Sequence, residues 1–144
     1  MVDAKGKCGD RQGKVGFEPS SLATGGCPEV EDGAYVARRL LSERARIGRY
    51  LDADLFADPA YDILLDLFVS GEEGRAVSMS NSACIARVPR TTALRWVRLL
   101  EERGLVELYA DEGDRRSTLL RLSTSARASV MSYLRHVGEG RRVP

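Results

Sequence analysis

The sequence of 144 residues has little of the residue types on which most catalytic and metal sites depend. It has one histidine, His136, and three cysteines (Cys8, Cys27 and Cys84) that form no Cys-x-x-Cys pair. An odd cysteine count with this spacing argues against a disulfide framework and against a zinc finger. Cys84 is therefore expected to pack as a small hydrophobe. We predict no metal, no cofactor and no enzymatic activity, and we interpret acid pairs such as Asp62/Asp66 as solvated or capping residues.

Long hydrophobic runs are also missing. No apolar stretch approaches the roughly 18 residues that would span a bilayer. Residues 1–16 are polar and rich in glycine, without the apolar segment of a secretory signal. The expectation is a cytoplasmic protein in a reducing setting, with no membrane partner.

Lysine is scarce, and the three lysines all lie within the first 14 residues. Residues 1–30 have no net charge, because four bases balance four acids. Residues 31–74 carry five arginines against ten acids, which gives −5, and residues 75–144 carry thirteen arginines against seven acids, which gives +6. Arginine suits phosphates and base edges better than lysine does. The basic second half therefore favours a polyanion as the partner.

The hydrophobic pattern divides the chain into four segments. Residues 1–28 are predicted to be a flexible leader, because glycines and polar residues cannot bury enough surface to offset ordering. Residues 29–57 contain a helix extending to about Leu55, with apolar residues at helical spacing. Residues 58–122 form a central domain, and residues 123–144 form a C-terminal helix and a polar tail.

The first half of the central domain is predicted to be helical. Asp58 caps a helix that starts with Pro59 and ends before Gly71, and residues 75–79 form a short strand. Ser80 is the expected cap of the next, short helix. A tight turn at 87–89 then leads into a longer helix over residues 90–103.

Gly104 ends that longer helix, as glycine commonly does at a helix C-terminus. Two strands follow, at residues 105–109 and 118–122, on either side of a charged loop, which predicts a β-hairpin. Ser123 is a suitable cap for the last helix.

Two helices joined by a tight turn and followed by a hairpin form a winged helix-turn-helix. The predicted fold class is mainly α with a small β-hairpin, a winged helix-turn-helix flanked by dimerisation helices. The second helix of such a motif fits the major groove of DNA. The expected partner is double-stranded DNA, bound by a sequence-specific transcriptional regulator whose DNA-binding domain spans residues 58–122.

The predicted DNA contacts come from the turn, the second helix and the hairpin tip. Arg90 and Arg95 can each donate paired hydrogen bonds to guanine, and Arg98 is placed to meet the backbone. The hairpin tip can reach a neighbouring minor groove or its phosphates. The full set is Arg87, Arg90, Thr91, Thr92, Arg95, Arg98, Arg115 and Arg116.

Three motifs in this order resemble those of the MarR-type transcriptional regulators. They are Leu100-Glu-Glu-Arg-Gly104-Leu-Val106, Asp111-Glu-Gly-Asp114-Arg115-Arg116 and Leu120-Arg-Leu122-Ser123. The resemblance covers about residues 60–130, and Arg95 matches an arginine typical of the family's recognition helix. It implies a homodimer on a palindromic operator. It also implies that Asp114 holds one wing arginine in place while the other touches DNA.

Two alternatives stay open beside this hypothesis. The domain could be a winged-helix protein-interaction module, or an architectural protein that binds DNA without sequence specificity. The apolar faces of residues 29–55 and 124–138 look too large for a monomer's core, which favours a symmetric dimer. No convergent polar pocket is visible in the sequence, so nothing in it supports a small-molecule effector.

Overall fold

The computed structural model describes residues 32–140. The helices are α1 (Gly33–Ile47), α2 (Pro59–Glu72), α3 (Ser82–Ala86), α4 (Arg90–Glu102) and α5 (Thr124–Glu139). The strands are β1 (Val77–Ser78), β2 (Val106–Ala110) and β3 (Thr118–Leu122), and short 3-10 turns cover Ala53–Phe56 and Met79–Asn81. This mainly helical arrangement with a small antiparallel sheet confirms the predicted fold class. The predicted leader, residues 1–28, lies outside the described residues.

Three predicted helix boundaries are confirmed by their capping groups. The Asp58 carboxylate accepts a hydrogen bond from the backbone N–H of Tyr61 at 3.1 Å, at the start of α2. Gly104 follows α4 with a φ of 71°, a left-handed conformation that glycine adopts without steric cost. The Ser123 hydroxyl accepts from the N–H of Ala126 at 3.2 Å and caps α5.

The first helix is shorter than predicted. Apolar spacing indicated a helix to about Leu55, but α1 ends at Ile47. At Gly48 the chain turns back so closely that a Cβ there would lie 3.0 Å from the Cβ of Ala53. Leu51 and Leu55 consequently lie outside the helix and are exposed. The helical spacing of these two leucines therefore did not predict where α1 ends.

Two smaller predictions are also wrong. The second helix was expected to end before Gly71, but α2 continues to Glu72, and Gly74 adopts a φ of 66° in the loop after it. Ser80 does not cap α3, because the short turn over Met79–Asn81 precedes that helix. The Ser82 hydroxyl instead donates to the carbonyl oxygen of Met79 at 2.7 Å.

The sheet has three strands rather than the two of a hairpin. The strand order is β1-β3-β2, and both pairings are antiparallel. Leu120 on β3 lies opposite Val77 on one side and Leu108 on the other. The short strand predicted at residues 75–79 therefore completes the edge of the hairpin sheet.

Two apolar clusters hold the molecule together, and α2 contributes to both. The domain cluster consists of Ile63, Leu67, Val77, Ala86, Val97, Leu100, Val106 and Leu120. The helical cluster consists of Val36, Ala37, Leu65, Phe68, Val69 and Leu134. The first joins α2, α3, α4 and the sheet, whereas the second joins α1, α2 and α5. Because α2 shares both clusters, it is the element on which the helix-turn-helix and the flanking helices rest.

The helical cluster corrects the argument made for a dimer from the sequence. Val36 and Ala37 of α1 and Leu134 of α5 are fully buried within the one chain, against α2. These apolar faces are therefore used inside the monomer. The large apolar side chains left exposed are mostly elsewhere: Tyr35, Tyr50, Leu51, Leu55, Phe56, Leu99 and Tyr133.

Among residues 32–140, no helix has the length and apolar character needed to cross a membrane.

Candidate nucleic-acid interface

Helix α4 has one buried face and one exposed face. Ala93, Val97 and Leu100, at helical spacing, are buried, and Val97 and Leu100 belong to the domain cluster. The opposite face carries most of the predicted contacts, with Arg90, Thr91, Arg95 and Arg98 exposed and Thr92 half-buried. The packing of α4 therefore fixes which side chains face outward.

Most arginines elsewhere in the described chain are bound to carboxylates. Glu73 binds Arg38 and Arg75, and its pKa is lowered, chiefly by the hydrogen bond from Arg38. Other ion pairs are Arg44–Asp62, Arg87–Asp62, Arg121–Glu107 and Arg127–Glu72. These arginines join elements to one another and have part of their charge neutralised.

The predicted contact arginines other than Arg87 differ from these, because no ion pair within residues 32–140 involves their guanidinium groups. This is so for Arg90, Arg95, Arg98, Arg115 and Arg116. It is also so for Arg46, Arg49, Arg103 and Arg135. Five of these nine arginines lie on the outward face of α4 and on the hairpin tip, the two surfaces that a polyanion would need.

The hairpin tip is ordered by its own acidic residues. The Asp111 carboxylate accepts from the N–H of Gly113 at 2.9 Å, and the Asp114 carboxylate accepts from the N–H of Arg116 at 3.0 Å. Asp114 therefore holds the backbone of Arg116, not a guanidinium group as the family pattern implies. Both arginine side chains at the tip, Arg115 and Arg116, are exposed.

Arg87 lies in a different environment from the other predicted contacts. Its terminal nitrogen donates to the Asp62 carboxylate at 3.2 Å, and Asp62 also accepts from Arg44 Nε at 2.7 Å. The Asp62 side chain is only 1% exposed, so its interpretation as solvated or capping is wrong. One signal was available in the sequence: Asp62 precedes Leu65 and Val69 by three and seven residues, on the buried face of α2.

Asp66, the other member of that acid pair, is half-buried and accepts from the Ser70 hydroxyl at 3.3 Å. Burial raises the pKa of its carboxyl, and the nearby Arg75 opposes this only in part. The residues described hold no group of three or more side chains suited to a metal ion.

The environment of Cys84 also differs from the one predicted from the sequence. It is exposed on α3 instead of packing as a small hydrophobe. The cytoplasmic setting stays a prediction.

Comparison of the sequence with family models and with curated proteins finds no match. Solved structures do match. MepR of S. aureus in its DNA-binding conformation is 19% identical over 77% of this chain and 80% of that chain, with a TM-score of 0.51. A mutant of S. aureus MepR is 17% identical over 75% and 77% of the two chains, with a TM-score of 0.50.

A mutant of ZitR from Lactococcus lactis is 16% identical, with a TM-score of 0.45. That match covers 53% of this chain and 51% of the ZitR chain, so it spans about half the length of ZitR.

MepR is a MarR-family regulator. This chain has the MarR-type winged-helix fold. In this fold, α3 and α4 are the two helices of the helix-turn-helix, and the β2–β3 hairpin is the wing. The fold that the three sequence motifs implied is thereby confirmed.

Proposed function

We propose that this chain is a sequence-specific, DNA-binding transcriptional regulator. The observation that carries the proposal is the distribution of arginines. Those on α4 and the wing tip are exposed without a carboxylate partner in the described chain, whereas most others are paired. The winged-helix fold places these two surfaces on the elements that enter and flank a DNA groove.

In this proposal α4 lies in the major groove with its N-terminal turn towards the base edges. Arg90 and Arg95 read guanine through paired hydrogen bonds, because a guanidinium fork matches O6 and N7 of that base. Thr91 and Thr92 reach phosphates or a thymine methyl group. Arg98, about two turns into the helix, meets the phosphate backbone.

The wing supplies the second contact. Arg115 and Arg116 extend from a tip whose backbone is fixed by Asp111 and Asp114, so little backbone entropy is lost when they bind. They reach the adjacent minor groove or its phosphates. Arg87 is left out of the proposed contacts, because its guanidinium is bound to Asp62.

We also propose that the protein binds DNA as a homodimer, with residues 58–122 as the DNA-binding domain and the flanking segments as the dimer interface. The segment after α1 supports this, because Leu51, Leu55 and Phe56 are exposed there, close to one another in the chain. Apolar side chains exposed together are typical of an interface.

Selection of bound sequences from a random duplex pool tests the function. A palindromic site with half-sites about 34 Å apart is expected, since two recognition helices in a symmetric dimer lie one turn of DNA apart. Binding without an enriched motif would support an architectural protein instead. Absence of binding at low salt would support a protein-interaction module.

A further inference from the structure

One buried carboxylate connects three parts of the molecule. Asp62 of α2 accepts from Arg44 Nε of α1 at 2.7 Å through one oxygen. Its other oxygen accepts from Arg87, in the turn between α3 and α4, at 3.2 Å. The carboxylate is 1% exposed, so its charge depends on these two arginines for compensation.

The backbone of Arg87 has a conformation that few residues adopt. Its φ is 54° and its ψ is 37°, and no other non-glycine residue between 32 and 140 has a positive φ. A side chain in this left-handed region is strained, and glycine or asparagine is the usual choice at the end of a helix. The ion pair with Asp62 is the visible reason for an arginine at this position.

This turn determines where α4 begins. Only Val88 and Pro89 separate Arg87 from Arg90, the first residue of α4. The Val88 N–H donates to the carbonyl oxygen of Ala83 at 3.3 Å, so the turn closes directly on α3. A change in the conformation of Arg87 would therefore move the N-terminal turn of α4.

Arg44, the other arginine that binds Asp62, is held by further contacts. Arg44 also donates to the carbonyl oxygen of Phe56 at 3.2 Å, and its guanidinium lies 5.0 Å from the ring centre of Tyr61. The Tyr61 hydroxyl is 2.8 Å from that of Tyr133 on α5, and burial raises the pKa of Tyr61. Arg44 is thus fixed by several groups, whereas the Arg87 guanidinium is fixed by its ion pair with Asp62.

We propose that Asp62 is a positioning residue for DNA binding, which anchors the turn at Arg87 against α1 and α2 and so sets the start of α4 relative to those two helices. The DNA readout of this inference depends on the proposed function. The ion pair itself, and its effect on the turn, do not.

The test uses the full-length chain with Asp62→Asn, Arg87→Gly and the double variant. Glycine accepts the left-handed backbone without strain, so Arg87→Gly removes the ion pair while keeping the fold of the turn. Glu73→Gln is the matched control, because it also breaks an ion pair between α1 and the residue that follows α2, and the partners of Glu73, Arg38 and Arg75, lie outside the turn. Affinity is measured on the selected site and on random duplex across a range of salt.

Each single variant is expected to lower affinity for the selected site about tenfold. A change of this size lies within the range of coupling energies measured between contacting residues. The ratio of affinity for the selected site to affinity for random duplex is expected to fall, while the slope of log affinity against log salt stays unchanged. The double variant is expected to bind as well as the single variant with the lower affinity. The control keeps the wild-type ratio. Arg87→Lys is expected to restore much of the ratio, because it keeps a positive charge near Asp62.

Two results would overturn the inference. If Arg87→Gly lowers the salt slope by about 0.9 while Asp62→Asn leaves specific affinity intact, Arg87 is a phosphate contact instead. If all variants keep the wild-type ratio, the ion pair serves stability alone.

Amide exchange without DNA separates this inference from the proposed function. Asp62→Asn is expected to accelerate exchange at the N–H groups of Val88 and Ala93, which donate to the carbonyl oxygens of Ala83 and Pro89, whereas Glu73→Gln is not. Unchanged exchange there would refute the positioning role. Failure of the wild-type chain to bind any duplex would refute the proposed function alone.

Discussion

At the scale of single residues, the surroundings of an arginine separate structural roles from proposed binding roles. Arg87 and Arg95 are eight residues apart and equally basic in sequence. The Arg87 guanidinium lies against a buried carboxylate, whereas the exposed Arg95 has no ion-pair partner in the described chain. We therefore propose that Arg95 contacts DNA and that Arg87 supports the turn.

Replacing Arg95 with alanine is expected to weaken binding to the selected site by about 1–3 kcal/mol, while weak binding to random DNA remains. The reason is that the variant cannot form the paired hydrogen bond to a base edge. Fluorescence anisotropy with both duplexes measures the two affinities. Arg103→Ala, at the exposed C-terminal end of α4, is the matched control and should keep the specific-to-random ratio. Equal reductions on both duplexes would contradict base readout by Arg95.

Asp66→Asn is expected to stabilise the fold at neutral pH. Burial raises the pKa of this carboxyl in the folded state, so the folded protein binds the proton more tightly than the unfolded chain does. Its contribution to stability is therefore present at low pH and is lost as pH rises through the folded pKa. Thermal melts from pH 4 to 8 should show that the melting temperature of the variant exceeds that of the wild type by an amount that grows as the pH rises. A gain that does not depend on pH would exclude this cause.

At the scale of elements, two capping residues and one glycine predicted boundaries correctly, whereas Gly71 and Ser80 did not mark the boundaries expected of them. Asp58, Gly104 and Ser123 marked the start of α2, the end of α4 and the start of α5 correctly, because caps act through local hydrogen bonds and backbone conformation. Leu55 matched the helical spacing of α1, but the chain turns back at Gly48. That turn depends on a tertiary contact, which spacing does not encode.

The candidate interface was predictable to a similar extent. The outward face of α4 follows from its apolar spacing, and so does the exposure of Arg90 and Arg95. The partner of Arg87 did not follow, because Asp62 is distant in sequence and pairing across 25 residues depends on the fold.

The wing as an element is predicted to supply affinity rather than specificity. Replacing both Arg115 and Arg116 with alanine should weaken binding to all duplexes and make the salt slope shallower, by up to about 0.9 for each phosphate that the variant no longer neutralises. A salt titration of the variant on random duplex measures this. Arg135→Ala on α5, also an exposed arginine, should leave the slope unchanged. A wild-type slope in the double variant would count against DNA binding by the wing.

At the scale of the whole molecule, α2 contributes side chains to both apolar clusters. In the domain cluster it packs against the helix-turn-helix and the sheet, and in the helical cluster it packs against the flanking helices α1 and α5. The flanking helices α1 and α5 already bury Val36 and Leu134 within the chain. We propose that the segment after α1, where Leu55 is 78% exposed, contacts the second copy.

We expect a dimer at micromolar concentration, which sedimentation equilibrium would measure directly. Leu55→Glu should shift the mass to that of a monomer, because a charge would be buried in the interface. Leu99→Glu, another exposed leucine but on α4, is the matched control and should remain dimeric. A wild-type chain that is only monomeric would remove the dimer proposal without affecting the fold.

The central claim is that the arginines of α4 and the wing form a surface for DNA. It is tested most directly by titrating salt against binding of the full chain to random duplex DNA. The account predicts that log affinity falls linearly with log salt, with a slope of about −0.9 for each phosphate neutralised. A chain that fails to bind duplex DNA even at low salt would contradict it.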